Sequence, residues 1–447
     1  MSATVKTLSL ESSADLVDWV TALDSESLPP STVDAVETTA LHYLYCALRG
    51  ASTSVGRVAS VMLSGGAVPR DAAREALVNG IVSHATLQED MHVPSQTHIG
   101  VVVWSCLLAL AGENDIPSSR LVAGAVAGYE VMGVVGETLA RCGVASKFRP
   151  TAILGPLGAW AAAASALQLT RKETASALAF AANAAAGLNG WAWQGGEEVY
   201  LHAGQAAQAG ILAVRLARAG LRGSADPLFA PAGYFDSFVS RRAPTDATRP
   251  RRRFVVEEVV FKRHPGCNYV QTVVDVCEAL APSLRHHGPP ARVEVAVTRA
   301  ARDYPGCDNP GPWHRRLEAQ MSIQFAAAAT LGTGDYAGSL DLPSREWRDA
   351  FATTAANTVV EASQELDAAY PAAQGAVVRL VLADGSTSQA MHADMRSLSH
   401  EEVRANLDAL VRERANAERA ALPLRLDASD PPFSFAARSL LLDAVTG

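Results

Sequence analysis

The stretch from about residue 144 to 220 leaves little choice of fold. Phe148-Arg149-Pro150-Thr151 opens a run of small and apolar residues to Leu167; a second run ends at Asn189, and a third begins at Leu201-His202-Ala203-Gly204-Gln205. The spacing predicts three helices, over about Thr151–Leu167, Arg171–Gly187 and Leu201–Leu221. Thr170, with Glu173 three residues on, has the form of a capping box, and Gly223 releases the third helix. Ala161–Ala164, Ala184–Ala186 and the set Gly204, Ala206, Ala207 and Gly210 line these helices, and few charges interrupt them. Side chains this small let helix backbones approach closely, so the three helices are expected to be buried nearly all round.

The rest of the chain divides around this core. Short helices are predicted near 14–24, 53–64, 71–87, 98–112 and 118–141, and one from a Ser31 cap to Arg49. Gln88–Thr97, polar and carrying Pro94, reads as a loop. Residues 222–253 are rich in Gly, Pro, Asp and Arg, and their end, Pro250-Arg251-Arg252-Arg253, reads as a solvated linker or crossing segment. The period then changes. Phe254–Phe261 and Ala291–Val297 read as strands, 267–281 and 313–331 as helices, and Ala376–Leu382 with Ser386–His392 as a hairpin turning at Asp384-Gly385. Ser399 and Glu402 form a second capping box, opening a helix to about Arg414. The last thirty or so residues are apolar again and are expected to return to the helical domain. The expected fold is mainly α: an all-helical domain over 1–253, a smaller α+β lid domain over 254–398, and a C-terminal return over 399–447.

Composition excludes several function classes. A net charge of −8 gives no electrostatic reason for binding nucleic acid or an anionic membrane. The longest apolar run, Val101–Ala111, falls short of the ~18 residues a membrane span needs. The opening is polar, with Glu11 and Asp15 early, so no signal peptide is expected. Six cysteines are scattered without CxxC spacing, which argues for reduced thiols in a cytoplasm and against a disulfide framework or zinc site.

Four constellations can carry chemistry. His84, Glu89, Asp90, His92 and His98 gather imidazoles and carboxylates on one loop and its flanking helix ends, as general acid–base work requires. A metal is the weaker reading, because the spacing fits no HExxH pattern; His84, on an apolar helix face, reads as a hydrogen-bonded core residue. Lys147 and Arg149 are either a carboxylate clamp or a surface pair at a helix start. Trp191-Ala192-Trp193-Gln194-Gly195-Gly196-Glu197-Glu198 is either a pocket wall or domain-interface packing. Lys262, His264, Cys267 and Gln271 fall at the domain junction; nothing near Cys267 argues for an activated thiolate, so it reads as a buried thiol.

The wording of several segments is more specific. Arg149-Pro150-Thr151-Ala152-Ile153-Leu154-Gly155-Pro156-Leu157-Gly158-Ala159, Leu201-His202-Ala203-Gly204-Gln205, Asn79-Gly80-Ile81-Val82-Ser83-His84, Lys262-Arg263-His264-Pro265-Gly266-Cys267 and Glu318-Ala319-Gln320-Met321-Ser322-Ile323-Gln324-Phe325 together resemble the MmgE/PrpD family. The resemblance runs from about Leu41 to about Leu331. It implies a cofactor-independent dehydratase, decarboxylase or epimerase with a small-molecule substrate and no metal. In part of the family the loop reads His-x-x-Asp-x-Asp-Asp-Thr with a catalytic His later. Matching places Asp90 on the last Asp and His98 on the later His, while Leu87 and Met91 replace the first Asp and the Thr. Arg149 stands where a His is common, Val199 where a catalytic Lys is usual, Cys267 or Gln271 near another His, and Phe325 at a functional Tyr.

The expected catalytic residues are therefore His98, Asp90 and His92. Arg149, Lys147, Leu87, Met91, Trp193, Gln194, Val199, Lys262, Cys267, Gln271 and Phe325 are expected at the substrate. Loss of polar family groups argues for a substrate larger and less charged than citrate-like acids. The expected activity is a lyase or isomerase acting by proton abstraction next to a carboxylate or carbonyl, in a cytoplasmic homodimer that completes its alanine-rich core against a second copy. The alternatives are a binding or scaffold protein that kept the fold and lost catalysis, or a cyclase of specialised metabolism.

Overall fold

The computed structural model describes residue 8 and residues 10–64, 71–239, 253–286 and 288–414. The expected return of the last thirty residues, and most of the Arg-rich crossing segment, lie outside the described residues. The chain forms two compact units. One comprises Met1–Asn189, Glu198–Phe261 and Ser399–Gly447; the other comprises Gly190–Glu197 and Lys262–Leu398.

The first unit is helical around the predicted core. The helices are Pro150–Ala166, Arg171–Asn183 and Glu198–Arg218. Pro150 starts the first at the position where proline's fixed φ suits a helix and its missing N–H costs nothing. Every residue from Pro150 to Ala166 is buried. Small residues make that possible. A Cβ on Gly158 would lie 2.4 Å from Met132 Cγ on helix Ser118–Ala140, and one on Gly210 would lie 2.3 Å from Ala159 Cβ. Helix Ala72–His84 meets Glu198–Arg218 glycine to glycine: a Cβ on Gly80 would lie 2.4 Å from Gly204 Cα. The Thr170–Glu173 capping box is present in both directions. Helix Gly100–Ala111 is buried over Gly100–Leu110. Helix His400–Arg414 packs on helix Pro30–Ala51, with the Ser399–Glu402 box formed and Thr38 Oγ1 at 2.6 Å from His400 Nδ1. Helix Pro30–Ala51 begins after Pro29 rather than at a Ser31 cap, because Pro30 takes the first helical position.

The second unit holds a four-stranded sheet in the order β2-β1-β3-β4. β1 (Arg292–Val297) pairs in parallel with β2 (Thr358–Ala362) and antiparallel with β3 (Ala376–Val381), which pairs with β4 (Thr387–His392). The predicted hairpin is present, with Gly385 at φ +84° in its turn. Val293, Val295 and Val297 of β1 and Ala376, Val378 and Leu380 of β3 are buried, the period-2 signature of a one-sided sheet. Helix Gln271–Leu280 packs on β3 and β4.

Two expectations are corrected. Phe254–Phe261 is not a strand: Val255–Glu257 form one 3-10 turn, and only Val260 bridges, to Met91. Its apolar residues pack against helix Ser118–Ala140 and Val255 donates its N–H to Glu130 Oε2 at 2.8 Å, so burial comes without a ladder. The helix expected over 313–331 is two, Arg316–Met321 and Ile323–Thr333. Ser322 breaks it, with extended backbone and its Oγ accepting from Phe325 N at 2.9 Å. β2 is a strand the sequence reading missed. No helix among the described residues is long and apolar enough to cross a membrane.

Candidate active site

The polar segment after helix Ala72–His84 is not a surface loop. Thr86 through His92 are buried, with Leu87 in left-handed backbone at φ +53°. The turn returns on itself through the His92–Thr97 bridge, and Met91 exchanges both backbone hydrogen bonds with Val260 at 2.9 Å.

Burial brings three side chains of this segment together. Glu89 Oε1 lies 3.1 Å from His84 Nδ1 and 3.1 Å from His98 Nδ1. The two imidazole rings are 5.7 Å apart between centroids. His98 is fixed from its backbone, which donates to Thr151 Oγ1 at 3.0 Å, at the start of the core helix Pro150–Ala166. Arg149, one residue ahead of that helix and 7% exposed, brings its guanidinium to 3.5 Å from His84 Nε2. A guanidinium only donates, so His84 Nε2 accepts and its Nδ1–H faces Glu89. The same carboxylate lies in ion-pair range of His98 Nδ1 without the alignment of a hydrogen bond; a proton on that nitrogen makes Nε2 the basic atom of the ring. His98 is 10% exposed at its side chain.

His202, on helix Glu198–Arg218, completes the cluster. Burial first, then the Arg149 guanidinium and His84, depress its pKa from 6.5 to about 3. It is therefore neutral at ordinary pH. This sets a pH dependence of stability. In the unfolded chain an imidazole titrates near 6.5, so between about 6.5 and about 3 the unfolded state holds a proton that folded His202 refuses. Its contribution to stability is full above that window and is lost as the pH falls through it, by at most about 1.4 kcal/mol per pH unit. Urea unfolding at about pH 7 and about pH 5 should show the loss, and His202→Gln should reduce it.

The neighbours serve other ends. Asp90 Oδ1 accepts from Gly100 N at 2.9 Å and its Oδ2 from the Tyr129 hydroxyl at 2.6 Å. Both oxygens are thus committed to starting helix Gly100–Ala111 and holding Tyr129, whose phenol is pushed up by burial and by Asp90 itself. A Cβ on Gly100 would meet Asp90 Oδ1 at 2.6 Å, so that helix start needs glycine. His92 is fully buried with Nδ1 at 2.8 Å from Ser95 Oγ, among partners of its own. Leu87, Met91 and Val199 are buried; Lys147 is exposed, its carbonyl accepting from Asn189 N at 3.0 Å.

Family profiles now decide the wider question. The MmgE/PrpD N-terminal domain matches residues 14–246 and the MmgE/PrpD C-terminal domain residues 264–426. The chain belongs to the MmgE/PrpD family. It is similar to cis-aconitate decarboxylase of Mus musculus, 29% identical over 282 residues covering 60% of this chain and 56% of that one. Against cis-aconitate decarboxylase of Homo sapiens it is 30% identical over 276 residues, covering 58% and 55%. The chain thus matches little more than half the length of these relatives.

In the second unit of this MmgE/PrpD chain, Phe325 is fully buried at the centre of an aromatic cluster, with Trp313, Trp347 and Phe351 at centroid distances of 5.0, 5.4 and 5.5 Å. That is a packing position, not a ligand-facing one. Gln271 is a brace: it accepts from His264 N at 3.1 Å and donates to the His264 carbonyl at 2.9 Å. Lys262 is buried with Nζ at 3.4 Å from the Gly266 carbonyl. Cys267 is half-buried, its sulfur 3.9 Å from that of Cys307. Trp193 is 74% exposed and, with Gln194, borders a cleft of about 500 Å³ that Tyr304, Asn309 and Glu318 also line.

The sequence reading missed the weight of Glu89, set His84 aside as core and left His202 as a motif residue only. Spacing could not have found the first: positions 84, 89 and 98 have no common period.

Proposed function

We propose that this chain is a lyase or isomerase that removes a proton next to a carboxylate or carbonyl with side chains alone. The observation carrying the proposal is Glu89 Oε1 at 3.1 Å from the Nδ1 of both His84 and His98. His98 takes the proton at Nε2, and Glu89 stabilises the imidazolium that forms. Arg149 supplies the permanent cation that holds the substrate carboxylate and the enolate-like charge. The electron pair left on carbon then expels a leaving group, or is reprotonated to invert the centre. The relatives' names point to decarboxylation of cis-aconitate, in which the C–CO₂ bond breaks instead, CO₂ leaves, and the electron pair left on carbon takes a proton from protonated His98. A less charged substrate is inferred from Leu87, Met91 and Val199 standing where polar groups are common in the family.

The test is a panel of carboxylic acids, cis-aconitate and larger, more apolar acids included, incubated in D₂O and followed by NMR. Solvent deuterium entering one acid, or its conversion, with the rate lost in His98→Gln, is the expected result. No exchange above the His98→Gln background for any acid would sink the enzyme reading and leave a binding protein.

The assembly proposed is a homodimer through the helical unit. Leu201, Leu212 and Leu216 are exposed on one stripe of helix Glu198–Arg218. Sedimentation equilibrium should give a dimer at micromolar concentration and a monomer for Leu212→Glu/Leu216→Glu.

A further inference from the structure

The second unit repeats one short wording, Pro265-Gly266-Cys267 and Pro305-Gly306-Cys307. In both, the glycine holds left-handed backbone, φ +123° at Gly266 and +83° at Gly306. Around Gly306 the turn is closed, Cys307 N donating to the Tyr304 carbonyl at 3.1 Å. At Gly266 the chain passes close to its neighbour: a Cβ there would lie 2.8 Å from the Gln320 carbonyl oxygen. Both cysteines are fastened to the break between helices Arg316–Met321 and Ile323–Thr333. Cys267 N donates to the Gln320 carbonyl at 2.9 Å, and the Cys307 carbonyl accepts from Ile323 N at 2.9 Å. Tyr269 and Tyr304 add a second contact, with ring centroids 5.6 Å apart. Two turns forty residues apart in the chain thus bring their sulfurs to 3.9 Å.

The two thiols differ in access. Cys307 is fully buried, and burial first, then the Cys267 sulfur beside it, push its thiol well above the ordinary range. It stays protonated at ordinary pH. Cys267 is part-exposed, so it is the sulfur that a small oxidant in solvent meets first. A bond needs the sulfurs about 2 Å closer. Rotation about the two Cα–Cβ bonds covers that gap while the backbone stays fastened. Packing alone would be served by any small apolar residue at position 307; contact with a part-exposed second sulfur is what makes the pair able to react.

We propose that Cys267 and Cys307 are a reversible oxidation site, at which a peroxide closes a disulfide inside the second unit. The Cys267 sulfur attacks one peroxide oxygen, the O–O bond breaks, the other oxygen leaves as water, and Cys267 carries a sulfenic acid. The Cys307 sulfur then attacks the Cys267 sulfur. The S–O bond breaks, and the hydroxide released takes the Cys307 proton and leaves as water. Each sulfur gives up one electron, and one peroxide with the two thiol hydrogens becomes two waters. A dithiol reductant reverses the step by thiol–disulfide exchange. Reduced thiols are the resting state of such a pair, and a transient disulfide is the form in which a reducing compartment senses oxidation. The bond would staple the turn carrying Lys262 and His264 to the loop whose Tyr304, Gly306 and Asn309 line the cleft of about 500 Å³.

The experiment uses the full chain carrying Cys142→Ser, which removes an exposed thiol that would otherwise react. The native protein takes a small molar excess of hydrogen peroxide, the remainder is destroyed with catalase, free thiols are blocked with N-ethylmaleimide, and the peptides are read by mass spectrometry. A peptide linked through Cys267 and Cys307 is expected in most chains, and is lost on treatment with dithiothreitol. In Cys307→Ser the link should vanish and dimedone should trap a sulfenic acid at Cys267. Where that buried change fails to fold, Cys267→Ser, at the part-exposed position, carries the test, and Cys307 should then stay unoxidised. Cys277→Ser should link as the parent does. No linked peptide, a link formed only in urea, links through Cys46, Cys106 or Cys277 instead, no dimedone adduct at Cys267 in folded Cys307→Ser, or oxidation of Cys307 in Cys267→Ser at the parent's rate would each overturn the proposal. None of these outcomes bears on the exchange test of catalysis.

Discussion

His98→Gln is expected to lower turnover by about 10²–10⁴-fold, the range typical of losing a general acid–base, with the helical circular dichroism unchanged. The amide keeps much of the shape and cannot carry the proton. Glu89→Gln should fall in the same range by another route. The neutral amide keeps an acceptor oxygen for the two Nδ1 atoms but loses the negative charge that stabilises the imidazolium. Arg149→Ala should act differently, raising KM about 10–100-fold through loss of a charge-assisted hydrogen bond while kcat changes less. Steady-state kinetics on the three variants separates these patterns. Full turnover in His98→Gln would assign the proton to another group, with His202, neutral and in the same cluster, the first to try.

Gly80→Ala and Gly204→Ala are expected to be among the most damaging single-methyl changes in the helical unit, each costing about 3 kcal/mol or more by overpacking. The new methyl on Gly80 would lie 2.4 Å from Gly204 Cα, and that on Gly204 would lie 2.1 Å from the Leu77 carbonyl oxygen. Backbone, not a flexible side-chain end, is in the way, so the two helices must separate. His84 lies one turn from Gly80 and His202 two residues from Gly204, so activity should fall with stability. Gly190→Ala is the control: a Cβ there has nothing within 4 Å and its φ is −63°. Urea midpoints should move strongly for the first two and little for the third; a small shift in all three would show that the helices slide apart at low cost.

These contrasts mark what is legible in a sequence. The Thr170–Glu173 box and the Gly385 turn are readable because their partners lie a few residues away. The close helix approach is readable because only small residues permit it, and Gly80, Gly204 and Gly210 are small wherever they point. Phe254–Phe261 is ambiguous because its buried residues, interrupted only at Glu257, Glu258 and Val260, follow neither period. The site is harder still. Glu89 and Asp90 are adjacent, yet one meets two imidazoles and the other a helix start and a phenol. Irregular backbone with Leu87 at positive φ decides which way each points, and no periodicity encodes that. Phe325 shows the converse: a position matched by motif can be given over to packing.

The route of the chain through its two units bears on how the protein is made. The helical unit is interrupted by Lys262–Leu398 and resumes only at Ser399. Helix His400–Arg414 covers helix Pro30–Ala51, binding His400 to Thr38 and Arg404 to Glu37. During synthesis that face of Pro30–Ala51 therefore stays uncovered until residues 400–414 have left the ribosome. Meanwhile the inserted unit must complete a sheet in which β1 pairs with β2 and β3 across long stretches of chain, and such pairings form slowly. The unit that carries the imidazole cluster is thus begun first and closed last.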